Sequence, residues 1–401
     1  MNVAVAKETF PGERRVALVP ANVSALTKLG CHVQVEAGAG AMAGFADDAY
    51  RAHGIEIVAD RGQLFQAADI VLQVRALGAN PEAGRADLEL LREGQVVVGM
   101  CDPLGNPQAV AQLAERGVTL FAMELIPRIT RAQSMDVLSS MATIAGYKAV
   151  LMAANQLPKL FPLLMTAAGT LTPAKVFVIG AGVAGLQAIA TAKRLGAVVQ
   201  GYDVRPAVKE QVESLGAKFV EMPLETTSAE GAGGYARELD EEFYRRQREL
   251  MVRVVSASDV CITTALIPGK PSPRVVTAEA VHGMAPGSII IDLAAERGGN
   301  CELTRADEVV IEHGVTILGP TNLPSEVPTH ASQMYSKNVA NFLKLITREA
   351  RFHLNLDDEI VRDTLAAHRG HVVNPTLRQL LNLEPLQTPS PESPPVDHLA
   401  T

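Results

Sequence analysis

Short β-branched runs alternate with amphipathic stretches along most of the chain. VAVA (3–6), HVQVEA (32–37), IVLQV (70–74), VVVGM (96–100) and VTLFAM (118–123) recur between longer mixed segments. Such alternation predicts βαβ units on a parallel sheet. Between these runs, ANVSALTKLG predicts a helix closed by Gly30, and NPQAVAQLAERG one with Asn106 as N-cap and Gly117 at its end. A helical pattern from Met135 to about Gln156 then crosses to a second unit. There the rhythm restarts with KVFVIG (175–180), AVVQGYD (197–203), AKFVEM (217–222), DVCITT (259–264), SIIIDL (288–293) and VTILG (315–319). After Pro328 a helix is predicted over 332–350, with Met334, Val339, Phe342, Leu343 and Ile346 at helical spacing, and it packs back onto the first unit. The expected fold is α/β, with two doubly wound parallel-sheet domains separated by a cleft. The first domain is expected to be discontinuous, 1–135 plus 330–380, and the second to span 136–329. Residues 384–401 hold five prolines without apolar periodicity and are expected to form a disordered tail.

Composition narrows the function classes. A chain of 401 residues, 47% apolar and 20% charged, exceeds what one core usually holds. Net charge is −8 and the basic residues are scattered, which argues against a nucleic-acid surface. Cys31, Cys101, Cys261 and Cys301 lie far apart with no CxxC pair, so neither a zinc site nor a disulfide framework is expected, and a reducing compartment fits. MNVAVAKETF shows no secretory pattern, and the apolar region 147–165 is interrupted by Lys148, Gln156, Pro158, Lys159 and Pro162, so no membrane span is expected. HRGH (368–371) is expected to be a surface turn rather than a metal site.

The strongest chemical signal is VFVIGAGVAGLQAIATAKRLGAVVQGYD. Here GxGxxG follows an apolar strand, opens a helix, and precedes a second strand ending in an acid. Gly180 permits the tight turn, Gly182 lets the backbone approach a pyrophosphate, and Gly185 lets helix and strand pack closely. Both domains are therefore expected to be Rossmann-like, with the dinucleotide on the second. Asp203, 18 residues beyond Gly185, stands where a carboxylate accepts ribose hydroxyls and repels a 2′-phosphate, which favours NAD(H) over NADP(H). Arg205 is ambiguous, since a nearby arginine also accommodates that phosphate. Thr264, Ala265 and Leu266 follow a strand at its carboxyl end, where nucleotides bind, although Pro268 and Gly269 also serve simply to turn the chain. The glycine-rich stretch around Gly234 and Tyr235 is either a linker or a mobile lid bearing a tyrosine.

RITRAQSMDVLSS (128–140) gathers two arginines, a glutamine, an aspartate and three serines ahead of a long helix, with no His, Cys or Lys. From the residues alone, capping of that helix by Asp136 or Ser134 is the simpler account. KETFPGERRVALVP, RAQSMDVLSS, the glycine fingerprint, GGYA, TTALIPGKP and IIDLAAERGGN together resemble the NAD(H)-binding subunit of proton-translocating nicotinamide nucleotide transhydrogenase. The resemblance runs from about residue 2 to 375. It implies hydride transfer between NAD(H) on this chain and NADP(H) on a partner subunit, coupled to proton movement by separate membrane subunits. It also implies a homodimer and a cytoplasmic location, held at the inner membrane through partners. On the family's pattern, Arg128, Gln133, Asp136 and Ser139 hold the nicotinamide, with Gln133 reaching toward the partner's nucleotide. Ser134, Met135, Ala181, Val183, Ala184, Val204 and Gln247 complete the expected cofactor contacts.

Alanine dehydrogenase shares the opening pattern and is the rival reading. That enzyme uses a lysine after the strand equivalent to IVLQV and a histidine after the one equivalent to VVVGM; here those places hold Arg75 and Asp102. Glu296 stands where it has a catalytic aspartate, while Arg15, its carboxylate clamp, is present, with a buried structural role equally open. An arginine never titrates near neutrality, so amino-acid dehydrogenation lacks its proton carrier. A third reading is an NAD-sensing module without a redox partner.

Overall fold

The computed structural model describes residues 1–222 and 241–386. Gly234, Tyr235 and most of the proline-rich tail lie outside them. Two parallel-dominant sheets organise the chain. The first contains β1 (Asn2–Val5), β2 (His32–Glu36), β3 (Glu56–Val58), β4 (Ile70–Arg75), β5 (Val96–Met100) and β6 (Thr119–Ala122). The order β3-β2-β1-β4-β5-β6 reverses direction between β1 and β4, which makes the sheet doubly wound. A small hairpin follows, β7 (Leu164–Thr166) with β8 (Gly169–Leu171). The second sheet contains β9 (Lys175–Ile179), β10 (Val198–Tyr202), β11 (Lys218–Phe219), β12 (Val260–Thr263), β13 (Ile289–Asp292), β14 (Val309–Glu312) and β15 (Val315–Leu318). Its order β11-β10-β9-β12-β13-β15 repeats that plan, with β14 antiparallel at the edge. Strands β16 (Thr347–Arg348) and β17 (Arg351–Phe352) pair as a second small hairpin; β18 (Leu365–His368) then extends the first sheet antiparallel to β6, and β19 (His371–Val372) pairs antiparallel with β18 at its edge.

Strands buried on both faces read as continuous apolar runs, and β4, β6, β12 and β13 do so. β3 and β14 expose part of each face, and their short EIV and VVIE runs carry little signal. The helix Pro107–Glu115 forms where expected, but Asn106 does not cap it through its side chain; its Nδ2 donates instead to the Gly78 carbonyl (3.4 Å). Gly117 ends that helix region at φ +75. The helix Pro328–Leu343 starts and stops earlier than the 332–350 expectation, because the chain beyond it turns into the β16–β17 hairpin, which still buries Ile346. Residues 368–371 form the turn joining β18 to β19.

The helix Val137–Gln156 is long and apolar enough to cross a membrane by length and composition. Here its two halves are divided between two cores. Val137, Met141 and Ile144 pack with the first sheet's residues, and Ala149, Val150 and Ala153 with the second's. Gly146, between these halves, lies so close to the fingerprint helix that a Cβ there would collide with the Ala184 carbonyl. One rigid helix thus fixes the spacing of the two domains across the cleft.

Candidate functional site

The main cleft, about 720 Å3, opens at the carboxyl ends of β9 and β12, where the strand order of the second sheet reverses. Ligands of open α/β sheets bind at such crevices. The three fingerprint glycines differ physically. A Cβ on Gly180 (φ +92) would lie 2.6 Å from Thr264 Oγ1, and one on Gly185 would collide with the Gly180 carbonyl, so both are demanded by packing. A Cβ on Gly182 meets nothing within 4 Å. Gly182 is the N-cap of the helix Val183–Arg194 and offers no side-chain cap, which leaves the first amides of that helix directed at the opening. Open backbone and unsatisfied helix amides suit a pyrophosphate, so the residues present fit a dinucleotide.

Asp203 directly follows β10, with its side chain almost wholly buried. Its Oδ1 accepts from the Arg205 amide and Nε (both 2.9 Å), and its Oδ2 from the Ala181 amide (2.8 Å) and Arg205 Nη2 (2.9 Å). The bidentate geometry explains why two adjacent charged residues sit at the cleft edge without an exposed net charge. A ribose diol reaches this carboxylate only by sharing it with Arg205 or displacing Arg205. Below, Gln247 donates from Nε2 to the Tyr202 hydroxyl (3.0 Å) and closes the floor. Thr264 Oγ1 donates to the Gly180 carbonyl (3.0 Å), joining the glycine turn to the β12 loop.

The opposite wall comes from the polar loop at 128–136 and the start of the crossing helix. Arg128, Asp136 and Ser139 line it with Leu138 and Ala142. Asp136 caps the crossing helix, taking the Ser139 amide on Oδ1 (2.9 Å) and the Ser139 hydroxyl on Oδ2 (2.6 Å). Capping and cleft placement coexist in one residue. Ser134 does not cap; it is exposed, and its carbonyl accepts from Asn338 Nδ2 (2.9 Å) and Asn341 Nδ2 (3.2 Å) beside a second, shallower groove.

The structure therefore brings Arg128, Asp136, Ser139, Gly180, Gly182, Val183 and Ala184 to the same cleft as Asp203, Val204, Arg205, Gln247, Thr264, Ala265 and Leu266. Ala181 and Gly185 sit behind this surface as its support. Gln133 is exposed and outside the cleft lining, and Met135 is buried in the first core. The 3-10 turn Thr130–Met135 points Gln133 outward and Met135 inward.

Several contributors escaped sequence reading. Asn300 pins the β12 loop: its Oδ1 takes the Ala265 amide (2.9 Å), and its Nδ2 donates to the Ala265 and Pro273 carbonyls (both 2.8 Å). The GGN ending of IIDLAAERGGN was the only signal for it. Asp292, fully buried, collects Thr263 and Thr304 hydroxyls with the Ala294 and Cys301 amides. Asp102, at φ +47, forms an ion pair with Arg297, which bridges the two domains along the cleft. Glu124 lines the same wall. Burial, reinforced by the Asp102 charge, pushes its carboxyl up to about 7. Its Oε1 accepts from the Asp102 amide (2.7 Å), while Oε2 is sealed from solvent without a partner.

Neither Arg15 nor Arg75 lines the cleft. Arg15 is held by Glu13 through Nε (2.7 Å) and Nη2 (2.6 Å), which makes it a buried structural arginine. Although burial opposes it, this pairing holds Glu13 far below the usual carboxylate range. Arg75 also reaches Glu13 (3.1 Å) and stacks on Phe10 at 4.3 Å. Burial, then the Glu13 charge, raises the neighbouring Glu8 carboxyl to about 8.

The family "Alanine dehydrogenase/PNT, N-terminal domain" matches residues 4–145, and "Alanine dehydrogenase/PNT, C-terminal domain" matches 149–375. The first portion of the NAD(P) transhydrogenase alpha subunit of Rhodospirillum rubrum is 48% identical over 94% of this chain and 99% of that one. A crystal structure of transhydrogenase from Sinorhizobium meliloti superimposes with a TM-score of 0.83 at 46% identity, covering 93% of this chain and 100% of that one. Alanine dehydrogenase of Bacillus subtilis is more distant, 28% identical over 96% of both chains. With a glycine-fingerprint cleft at the switch point and these matches over nearly its whole length, the chain belongs to the alanine dehydrogenase/PNT family, in the branch of the NAD(P) transhydrogenase alpha subunits.

Proposed function

We propose that this chain binds NAD(H) in the cleft and presents the nicotinamide for direct hydride transfer to NADP(H) carried by a partner subunit. The observation that carries the reading is the juxtaposition of the Gly182 helix terminus with Arg128, Asp136 and Ser139 across one cleft. Bound NAD(H) supplies the hydride; the protein supplies orientation and exclusion of water. Gly182 and the amides of Val183 and Ala184 hold phosphate. Asp203 takes the ribose, and its ion pair keeps the Arg205 fork away from a 2′-phosphate, which favours NAD(H). Asp136 and Ser139, already locked to each other, present one hydroxyl and one carboxylate to the carboxamide end, joined by Arg128. The exposed Gln133 projects away from this chain's own cleft, which supports a role toward the partner's nucleotide.

Hydride exchange between two nicotinamides moves no proton at the reacting carbon, and the cleft is consistent with that. Glu124 is the one wall residue whose carboxyl is raised to near neutrality among the described residues, yet its Oε1 is committed to the Asp102 amide and its Oε2 is sealed from the cleft. Arg75 and Asp102 are fixed in ion pairs. Coupling to proton translocation then belongs to separate membrane subunits, with this chain cytoplasmic and peripheral at the inner membrane. A homodimer is supported by the β7–β8 hairpin, which exposes Leu164, Met165 and Leu171 as a small sheet of its own. The domains divide at 1–135 plus 330–380 and 136–329, in keeping with β18 and β19 completing the first sheet. Assays with alanine and NAD, and with pyruvate, ammonia and NADH, are expected to show no turnover by the purified chain. Clear turnover would restore the dehydrogenase reading.

A further inference from the structure

The end of the second sheet remote from the cleft carries a cluster that nucleotide binding does not use. His282 closes the short helix Ala278–His282, ahead of β13; Glu312 ends β14, and His313 sits in the turn into β15. These places lie at the amino ends of β13 and β15, whereas the cleft opens at the carboxyl ends of the parallel strands. One ligand atom from each of the three side chains lies within 4.8 Å of the others. Glu312 Oε1 is 3.5 Å from His282 Nε2 and 3.6 Å from His313 Nε2.

Both separations exceed a normal N–H···O hydrogen bond, so the carboxylate is not gripping either ring directly. They do match the spacing of a metal's ligands: donors about 2.0–2.2 Å from a tetrahedral ion stand roughly 3.4 Å apart. The two imidazoles face each other at 4.0 Å between centroids, tilted by 49°, which brings a nitrogen of each within reach of one ion. His313 (φ +48) and Gly314 (φ +76) are the two central residues of the tight β14–β15 turn, which sets the His313 ring directly after Glu312 at the sheet edge.

We propose that His282, Glu312 and His313 form a three-ligand site for a divalent transition ion of the zinc class, with water completing the coordination. Imidazole and carboxylate donors select such ions over magnesium or calcium, which demand more oxygen ligands. Tying the helix before β13 to the β14–β15 turn, the ion staples the edge of the nucleotide-binding sheet without touching the nucleotide. The site is on the surface, so it is open to exchange with solution.

The test is calorimetric titration of Zn2+ into the untagged full chain after chelator treatment, with His282→Ala and His313→Asn titrated in parallel. His313→Asn keeps a residue that accepts the left-handed turn, and NADH titration of both variants controls for folding. The wild type is expected to bind one saturable equivalent. Each variant should bind at least about tenfold more weakly, the lower end of what even an outer-shell partner contributes, with NADH affinity unchanged. Equal Zn2+ affinity in all three proteins, or no saturable binding by the wild type, overturns the proposal.

Discussion

Glu124 shows how one side chain can be ionisable near neutrality and still be unavailable for chemistry. Its carboxyl is raised from 4.5 to about 7 because burial penalises the charge and Asp102 repels it. The folded protein therefore holds this proton more tightly than the unfolded chain does. The stabilisation is fully present below the unfolded value of 4.5 and is lost as pH rises through about 7. Glu124→Gln keeps the acceptor for the Asp102 amide and removes the titration. It is expected to melt a few degrees above the wild type at pH 8, roughly what one to two kcal/mol gives in a chain of this size, and to converge with it near pH 5. Parallel melting curves across that range would remove Glu124 as the source. Nothing in MELIP announced this carboxyl; its shift arises from packing that brings residues 102 and 124 together. Asp203 was legible as the acid closing the fingerprint, but its capture by Arg205 two residues on was not, because the sequence shows proximity without rotamers.

At the scale of elements, the crossing helix Val137–Gln156 does most to turn two sheets into one site. Its N-terminus carries Asp136 and Ser139 into the cleft wall, and Gly146 lets its middle meet the fingerprint helix. Capping and cleft placement fall on the same carboxylate, and a substitution separates the cap from the proposed cofactor contact. Asp136→Asn retains an oxygen for the Ser139 amide, since asparagine caps about as well as aspartate, and should change stability by no more than about 0.5 kcal/mol. Hydride exchange with the partner should nevertheless fall at least tenfold, roughly the loss of one charged orienting contact. Unfolding curves and exchange rates on the same preparation decide the matter: undiminished exchange would reduce Asp136 to a cap. Elements with continuous β-branched runs were legible from sequence, as β4, β5, β12 and β13 attest. β3, β14 and β19 were not, because two- to four-residue edge strands are defined by their neighbours rather than by their own pattern.

For the whole molecule, the repeated doubly wound plan sets both domains with their switch points available, yet the main cleft forms where the second sheet's crevice meets the wall that runs from Asp102 to Ser139. Asp102 and Arg297 tie the rims across 195 positions of sequence, a separation that no local pattern could have revealed. The polar loop 128–140 was conspicuous in the sequence for what it lacked, and the structure divides it: Arg128, Asp136 and Ser139 face the cleft, Ser134 faces another groove, and Gln133 faces outward. That division supports the proposed presentation of one nucleotide to another. The most direct test mixes the purified chain with the NADP(H)-binding partner subunit and follows reduction of an NADP analogue by NADH, with each protein alone as control. Rapid exchange is expected only when both proteins are present; no exchange in the mixture, with NADH demonstrably bound to this chain, would overturn direct hydride transfer.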